Sequence, residues 1–228
     1  YENHKHSIGA TGILLYGPSG SGKTAILKQI GCLFSCQVQN VQISQLVRGE
    51  IGSGEENLRE IFQRSKILAP CIVVIDEFES IFTSKKGNDT GDVGASLSST
   101  LAGCFDEVSI WNKFAGFENQ IVVVGASNKP WMIDKSFLRA GRFDKYVFVG
   151  PLSESERSDM MRHYCPWLSV EQMRWLLHST LKWLVADVEF LLRGLKKEML
   201  LTKGETSLGT IQQFFMEFDM NAPEEWRW

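Results

Sequence analysis

The most informative segment of the sequence is Gly17-Pro18-Ser19-Gly20-Ser21-Gly22-Lys23-Thr24. It follows an apolar run at residues 13–16 and precedes a helical pattern that begins at residue 25. A strand, a glycine-rich loop and a helix in this order predict a phosphate-binding loop, because the loop amides turn inward and the helix N-terminus adds partial positive charge. In such a loop Lys23 reaches the β- and γ-phosphates and the Thr24 hydroxyl binds Mg²⁺. The pattern therefore predicts a nucleoside-triphosphate site.

Two later apolar runs each lead into polar side chains. Residues 71–75 form a β-branched run, typical of a strand buried on both faces, and end on Asp76 and Glu77. Residues 121–124 form a similar run that leads to Asn128. Ligands of open α/β sheets bind beyond the carboxyl ends of the strands, so these side chains are expected beside the glycine-rich loop. The alternatives are a solvated strand end or helix start for the acids and an ordinary loop position for the asparagine.

Two arginines, Arg139 and Arg142, stand three positions apart in a glycine-containing turn. Taken alone, this spacing is equally compatible with a surface ion pair. Alternating apolar and polar residues predict a further strand at residues 38–43, and a last strand is predicted at residues 146–149. Because strands alternate with helices up to this point, the pattern predicts an α/β fold, a doubly wound parallel sheet of five strands.

The segment between the apolar run that ends on Asp76 and the run that begins at residue 121 is less regular. Residues 83–94 are polar and glycine-rich and predict a mobile loop, followed by weak helix. An aromatic-bearing connection is then expected through Trp111, Phe114 and Phe117.

The pattern changes after Gly150 and Pro151, where strand signals end. Helices are predicted at residues 154–163, 170–178, 186–201 and 208–218. We therefore expect residues 1–150 to form a P-loop α/β domain and residues 151–228 a small helical lid domain. Three tryptophans are expected to supply much of the small domain's core: Trp167, Trp175 and Trp183.

Composition narrows the possible functions. The 228 residues carry a net charge of −3, which argues against a nucleic-acid-binding protein. Five scattered cysteines lack zinc spacing and favour reduced thiols in an intracellular, most simply cytoplasmic, protein. No apolar stretch of about 20 residues and no signal peptide is recognisable, so we expect no transmembrane segment. The first residue is Tyr1, so we expect a piece of a longer chain.

These segments together resemble the AAA ATPases, in the clade that includes NSF, valosin-containing protein and the peroxisome-biogenesis ATPases. The resemblance covers residues 13 to about 157 and extends more loosely to 218. Four motifs carry it in order, at residues 17–24, 72–77, 125–130 and 138–144.

The resemblance implies a role for each motif residue. Lys23 and Thr24 would bind the phosphates of ATP and Mg²⁺, and Asp76 would bind Mg²⁺ through water. Glu77 would be the general base that polarises the attacking water, and Asn128 would be the sensor that aligns it.

The resemblance also places Arg139 and Arg142 as arginine fingers that reach a neighbouring subunit's nucleotide. The active unit would then be a ring, usually of six identical or different subunits, that acts on protein substrates or adaptors. The small domain would turn about the hinge near Gly150 and Pro151 during the ATP cycle.

Two segments depart from the family's pattern. Its aromatic pore loop aligns with Glu50, Ile51 and Gly52, so an acid replaces the aromatic residue. Near the expected adenine site, Leu184 and Val185 replace small residues, which would reshape the pocket or tighten the domain contact.

The main hypothesis is an ATP-hydrolysing ring motor that remodels protein partners. The alternative is a nucleotide-dependent assembly platform with little pulling activity, of which Glu50, Leu184 and Val185 would be the signatures. A nucleic-acid motor on the same fold is disfavoured by the acidic charge balance and the arginine arrangement.

Overall fold

The computed structural model describes residues 11–34, 36–48, 52–83, 91–201 and 207–221. Its strands and helices follow in the order β1 (Gly12–Tyr16), α1 (Lys23–Phe34), β2 (Gln37–Gln42), α2 (Ile43–Arg48), α3 (Ser53–Ile67), β3 (Cys71–Asp76), α4 (Ser80–Thr83), α5 (Gly91–Phe114), β4 (Ile121–Ser127), β5 (Phe143–Phe148), α6 (Glu154–Tyr164), α7 (Val170–Ser179), α8 (Val185–Leu201) and α9 (Leu208–Asn221). Short 3₁₀ turns occupy Phe117–Asn119, Pro130–Met132 and Lys135–Phe137.

The five strands form one parallel sheet in the order β2-β3-β4-β1-β5. The strand β1 therefore lies between β4 and β5, and Leu14 pairs with Gly125 on one side and Tyr146 on the other. Because all strands run the same way, the carboxyl ends of β1, β3 and β4 meet at one edge of the sheet. The predicted doubly wound parallel sheet is confirmed.

The central strands β1, β3 and β4 are buried on both faces, as their apolar runs predict, whereas the edge strands β2 and β5 are largely exposed. In β3, Val73 and Ile75 pack into one core, while Ile72 and Val74 pack into a second core on the other face. This alternation follows from the two-residue period of a strand. Four phenylalanines dominate the first core, with neighbouring ring centroids 5.0 to 5.9 Å apart: Phe78, Phe105, Phe137 and Phe143.

The helix predicted between β3 and β4 is present, but its predicted bounds were wrong, and residues 84–90 of the predicted loop lie outside the described residues. The helix α5 begins at Gly91 and runs for 24 residues, so it includes Trp111 and Phe114 instead of leaving them in a connection. Its buried side chains recur at helical spacing: Leu97, Leu101, Cys104, Phe105 and Val108. Burial of this stripe against the sheet's first core stabilises a helix whose glycines and serines disfavour it locally.

The helices α6 to α9 form a second compact unit, which begins at Gly150 and also takes in Gly20–Gly22. Its first two helices begin with capping boxes, Ser153 with Glu156 and Ser169 with Gln172. The core contains Met161, Cys165, Leu176, Val188, Leu191, Leu192, Leu195 and Ile211, and the tryptophans Trp167, Trp175 and Trp183 pack against it. No helix among the described residues is long and apolar enough to cross a membrane.

Candidate functional site

The glycine-rich loop starts where β1 ends. The Gly17 amide donates a hydrogen bond to the Ser127 carbonyl at the end of β4 (3.3 Å). A Cβ atom on Gly17 would stand 2.1 Å from the Val149 carbonyl oxygen, so only glycine allows this close approach. Gly20 and Gly22 have φ angles of 82° and 97°, in the left-handed region that glycine favours. The sequence thus curls the loop at the carboxyl edge of the sheet.

Lys23, the first residue of α1, is buried and folds back over the loop. Its Nζ donates to the Gly17 carbonyl (2.9 Å) and to the Pro18 carbonyl (2.7 Å). Burial lowers the pKa of the Lys23 ammonium, while the negative charges of Glu79 and Asp76 oppose that shift. A partly desolvated cation therefore lies within the loop, where it favours an anionic ligand.

Thr24 and Asp76 meet although they are 52 positions apart in the chain. The Thr24 Oγ1 donates to the Asp76 Oδ2 (2.8 Å), and the Glu77 amide donates to the other carboxylate oxygen, Oδ1 (2.9 Å). A hydroxyl and a carboxylate side by side are hard oxygen ligands, which Mg²⁺ prefers and binds together with substrate phosphates. The donor set thus fits a magnesium ion held at the mouth of the loop.

Glu77 is exposed and has a φ angle of 49°. A left-handed conformation is uncommon for a residue other than glycine and stores strain, which concentrates at functional sites. The surrounding backbone holds it, since the Phe78 amide donates to the Ala126 carbonyl (2.9 Å) and the Ser80 amide to the Glu77 carbonyl (2.8 Å). The result is a solvent-accessible carboxylate directly beside Asp76.

Asn128 follows the last residue of β4 and is half-buried. Its backbone amide donates to the Oε1 of Glu79 (3.1 Å). Sequence analysis missed Glu79, because an acid at the start of a short helix is an ordinary feature. Its neighbours Phe78, Ile81 and Phe82 give the signal that was overlooked, since an acid within an apolar run is expected to be buried for a reason.

The two arginines of the motif lie in different environments. Arg142 is buried, and its guanidinium binds both oxygens of Asp106, Nε to Oδ1 (3.0 Å) and Nη2 to Oδ2 (2.9 Å). Its Nη1 donates to the Ser136 carbonyl (3.0 Å), and the guanidinium stands 5.4 Å from the ring centroid of Phe137. Arg139 is exposed, with 58% of its side-chain surface accessible, and lies 3.5 Å from the same carboxylate.

Both arginines pair with Asp106: Arg139 forms an exposed surface pair, as the alternative left open by the sequence has it, and Arg142 forms a buried one. Arg142 lowers the pKa of the Asp106 carboxyl, first by its hydrogen bond and then by its charge. The arginine that remains exposed is Arg139.

Within the second unit, the start of α8 contacts the middle of the glycine-rich loop. The Ala186 amide donates to the Gly20 carbonyl (3.0 Å). A Cβ on Gly20 would stand 3.9 Å from Leu184, and one on Gly22 would stand 3.6 Å from Val185. The two bulky residues therefore pack directly against loop glycines.

Within the part of the chain that the structure describes, Gly52 of the predicted pore loop and the cysteines do not contribute to the site around the glycine-rich loop. Glu50 and Ile51 of the predicted pore loop are outside the described residues, whereas Gly52 precedes α3 with a φ angle of 92°. Among the described residues, no group of three or more His, Cys, Asp or Glu side chains is arranged to hold a metal ion. The described cysteines are free thiols.

Comparison with known protein families points to a nucleotide-binding site, as the glycine-rich loop does. Residues 13–151 match the family model described as "ATPase family associated with various cellular activities (AAA)". The chain belongs to the AAA family of ATPases. The match begins in β1 and ends just after β5, so it covers the sheet of this AAA chain except Gly12, together with the site residues from Gly17 to Arg142.

Among the relatives of this AAA chain are peroxisomal ATPases called pex6 or PEX6. The protein from Schizosaccharomyces pombe is 35% identical over 155 residues, which is 67% of this chain and 16% of the relative. The protein from Arthrobotrys oligospora is 39% identical over 142 residues, 61% of this chain and 12% of the relative. The human protein is 35% identical over 153 residues, 67% of this chain and 15% of the relative. The chain therefore spans about a sixth or less of the relatives' length.

Proposed function

We propose that this chain is an ATP-binding and ATP-hydrolysing domain that uses Mg²⁺. The observation that carries the proposal is the 2.8 Å contact between Thr24 Oγ1 and Asp76 Oδ2. It joins a glycine-rich loop to a buried strand's carboxyl end with the ligand chemistry that a hydrated magnesium ion and a triphosphate need. Membership of the AAA family supports the same activity.

Each residue at the edge of the sheet has a separate task. Lys23 leaves the loop carbonyls and binds the β- and γ-phosphates, while loop amides cradle the phosphate oxygens. Thr24 and Asp76 hold Mg²⁺, which when bound neutralises charge on the phosphates. Glu77 accepts the proton of the attacking water, and Asn128 orients that water. Catalysis of this kind rests on positioning and electrostatics.

The exposed Arg139 supports an assembly in which subunits complete one another's sites. We assign Arg139 as the arginine finger that reaches a neighbour's nucleotide, with Arg142 anchoring the segment through Asp106. An arginine supplied in trans is worth about 10³ to 10⁵ in rate, so an isolated subunit is expected to hydrolyse ATP slowly.

The similarity to PEX6 supports a ring, usually of six identical or different subunits, that remodels protein partners at the peroxisome. A ring that only assembles on nucleotide is the competing proposal. ATP-dependent unfolding of a tagged test protein distinguishes them, since only a pulling ring unfolds it.

The hydrolysis site is tested by Glu77→Gln. A general base contributes about 10² to 10⁴ in rate, so single-turnover hydrolysis is expected to fall by about 100-fold or more while ATP binding persists. Lys23→Ala is expected to lose binding, measured by titration with a fluorescent ATP analogue. Glu118→Gln is the matched control, because Glu118 is exposed and lies before β4 begins, at the opposite edge of the sheet. Hydrolysis by Glu77→Gln at the wild-type rate would refute the assignment.

A further inference from the structure

The proposed mechanism leaves one buried acid without a task. Glu79 is only 7% exposed, although it lies three residues beyond Asp76. Its Oε1 accepts the hydrogen bond from the Asn128 amide at 3.1 Å, a contact between residues 49 positions apart. Its Oε2 is also buried and has no hydrogen-bond partner among the described residues. Among the described residues, Oε1 therefore has a hydrogen-bond donor and Oε2 has none.

A carboxylate is a costly choice for such a position. A buried charge must be paired and hydrogen-bonded to offset its desolvation, and a buried acceptor without a donor costs free energy. Glutamine has the same shape and would accept the Asn128 hydrogen bond through its carbonyl oxygen without burying a charge. The contacts that stabilise the fold therefore explain neither why Oε2 is buried without a donor nor why the residue is an acid and not an amide.

The charge lies close to groups that the mechanism uses. The backbone that follows Glu77 leads directly into Glu79, and the Glu79 oxygen holds the residue that orients the attacking water. The Glu79 charge also acts on Lys23, whose pKa it helps to raise against the effect of burial. The acid thus connects the ends of β3 and β4 beside the cation of the glycine-rich loop.

We propose that Glu79 is a positioning residue for ATP hydrolysis. Its Oε1 fixes Asn128 relative to the end of β3. Its negative charge, which both carboxylate oxygens share, is required for hydrolysis once nucleotide is bound and is not required for folding. This inference rests on the proposed function, because it assumes that Asn128 and Lys23 act on ATP.

The decisive substitution is Glu79→Gln, which keeps an acceptor for the Asn128 amide and removes the charge. The hydrogen-exchange protection of that amide and the thermal midpoint are expected to stay at or above the wild-type values. The single-turnover rate is expected to fall at least tenfold, with ATP affinity within twofold of wild type. Glu79→Ala is expected to lose the amide protection as well.

Two results would overturn the proposal. A Glu79→Gln rate within twofold of wild type means that the acid only supports the fold. A lower midpoint or lost Asn128 protection in Glu79→Gln means that the fold itself needs the charge. Glu118→Gln serves as the control for removing an acid from the same unit.

A double-mutant cycle tests whether Glu79 acts through Asn128. Asn128→Ala removes the side-chain amide and keeps the backbone N–H that Glu79 holds. If both act as one unit, the double variant is no slower than the slower single variant, whereas multiplied losses would contradict positioning. If the proposed function itself is wrong, Glu77→Gln will also hydrolyse ATP at the wild-type rate. If only the role of Glu79 is wrong, Glu77→Gln will be slow and Glu79→Gln will not.

Discussion

Alanine substitution of Arg142 should mainly lower the stability of the protein, whereas alanine substitution of Arg139 should mainly lower the rate of ATP hydrolysis. Arg142→Ala is expected to destabilise the α/β unit, whereas Arg139→Ala is expected to leave its stability nearly unchanged. The reason is burial, since the Arg142 side chain is 8% exposed and that of Arg139 is 58% exposed. Two arginine fingers with equal roles would instead give two stable variants with similar losses of hydrolysis.

The magnitude follows from the contacts that each substitution removes. Arg142 makes two charge-assisted hydrogen bonds to Asp106 and one bond to the Ser136 carbonyl, and it contacts Phe137. Hydrogen bonds to charged groups contribute about 1.5 to 3 kcal/mol each, and the 48% exposure of Asp106 calls for the low end, so the two bonds to Asp106 alone give a loss of about 3 kcal/mol. Arg139 makes one long, exposed ion pair, which is worth about 0 to 1 kcal/mol.

Thermal and urea unfolding measure the difference. A loss of about 3 kcal/mol lowers the midpoint by roughly 6 to 12 °C in a chain of this size, against at most about 4 °C for Arg139→Ala. Arg64→Ala, an exposed arginine on α3, controls for loss of a surface cation. Single-turnover hydrolysis with subunits in excess should fall by about 10³ in Arg139→Ala with ATP affinity unchanged. An Arg142→Ala protein with the wild-type midpoint would show that the buried pair with Asp106 does not stabilise the fold.

Two further predictions concern the same core. Because Arg142 lowers the pKa of Asp106 below its ordinary 3.8, the pair's stabilisation is complete above that value and is lost as the pH falls through the lowered pKa. The midpoint difference between wild type and Asp106→Asn should therefore be equal at pH 7 and pH 5 and shrink near pH 3; shrinkage already at pH 5 would contradict this. Gly125→Ala should cost about 1 to 3 kcal/mol, because its Cβ would stand 2.7 Å from the Phe143 ring. The cost should fall in a Phe143→Leu background, and an equal cost in both backgrounds would count against the clash.

The elements that sequence predicted well are those with strong local patterns. The glycine-rich loop needs residues whose backbone adopts positive φ, and β3 is a continuous apolar run that ends on acids. Parallel strands then bring those ends to one edge, so the proximity of Thr24 and Asp76 followed from topology.

The features that sequence did not predict depend on contacts between distant residues. The helix α5 contains glycines and serines that disfavour a helix locally, and burial of Leu97, Leu101 and Phe105 overrides them. The spacing of Arg139 and Arg142 says nothing of Asp106, which lies 36 positions before Arg142 and pairs with both arginines. Glu79 is different, because its apolar neighbours gave a local signal of burial, and only its partner, the Asn128 backbone, lay beyond the reach of sequence.

The acidic edge of the sheet and the arginine segment share one aromatic core. Phe78 lies between Glu77 and Glu79, and its ring centroid is 5.3 Å from that of Phe137 and 5.0 Å from that of Phe143. Phe137 and Phe143 bracket the two arginines in sequence and are fully buried. Close-packed interiors transmit displacement, because side chains have few voids into which they can move. We therefore expect a backbone shift at the proposed hydrolysis site to displace the arginine segment as well, because both pack against the same aromatic core.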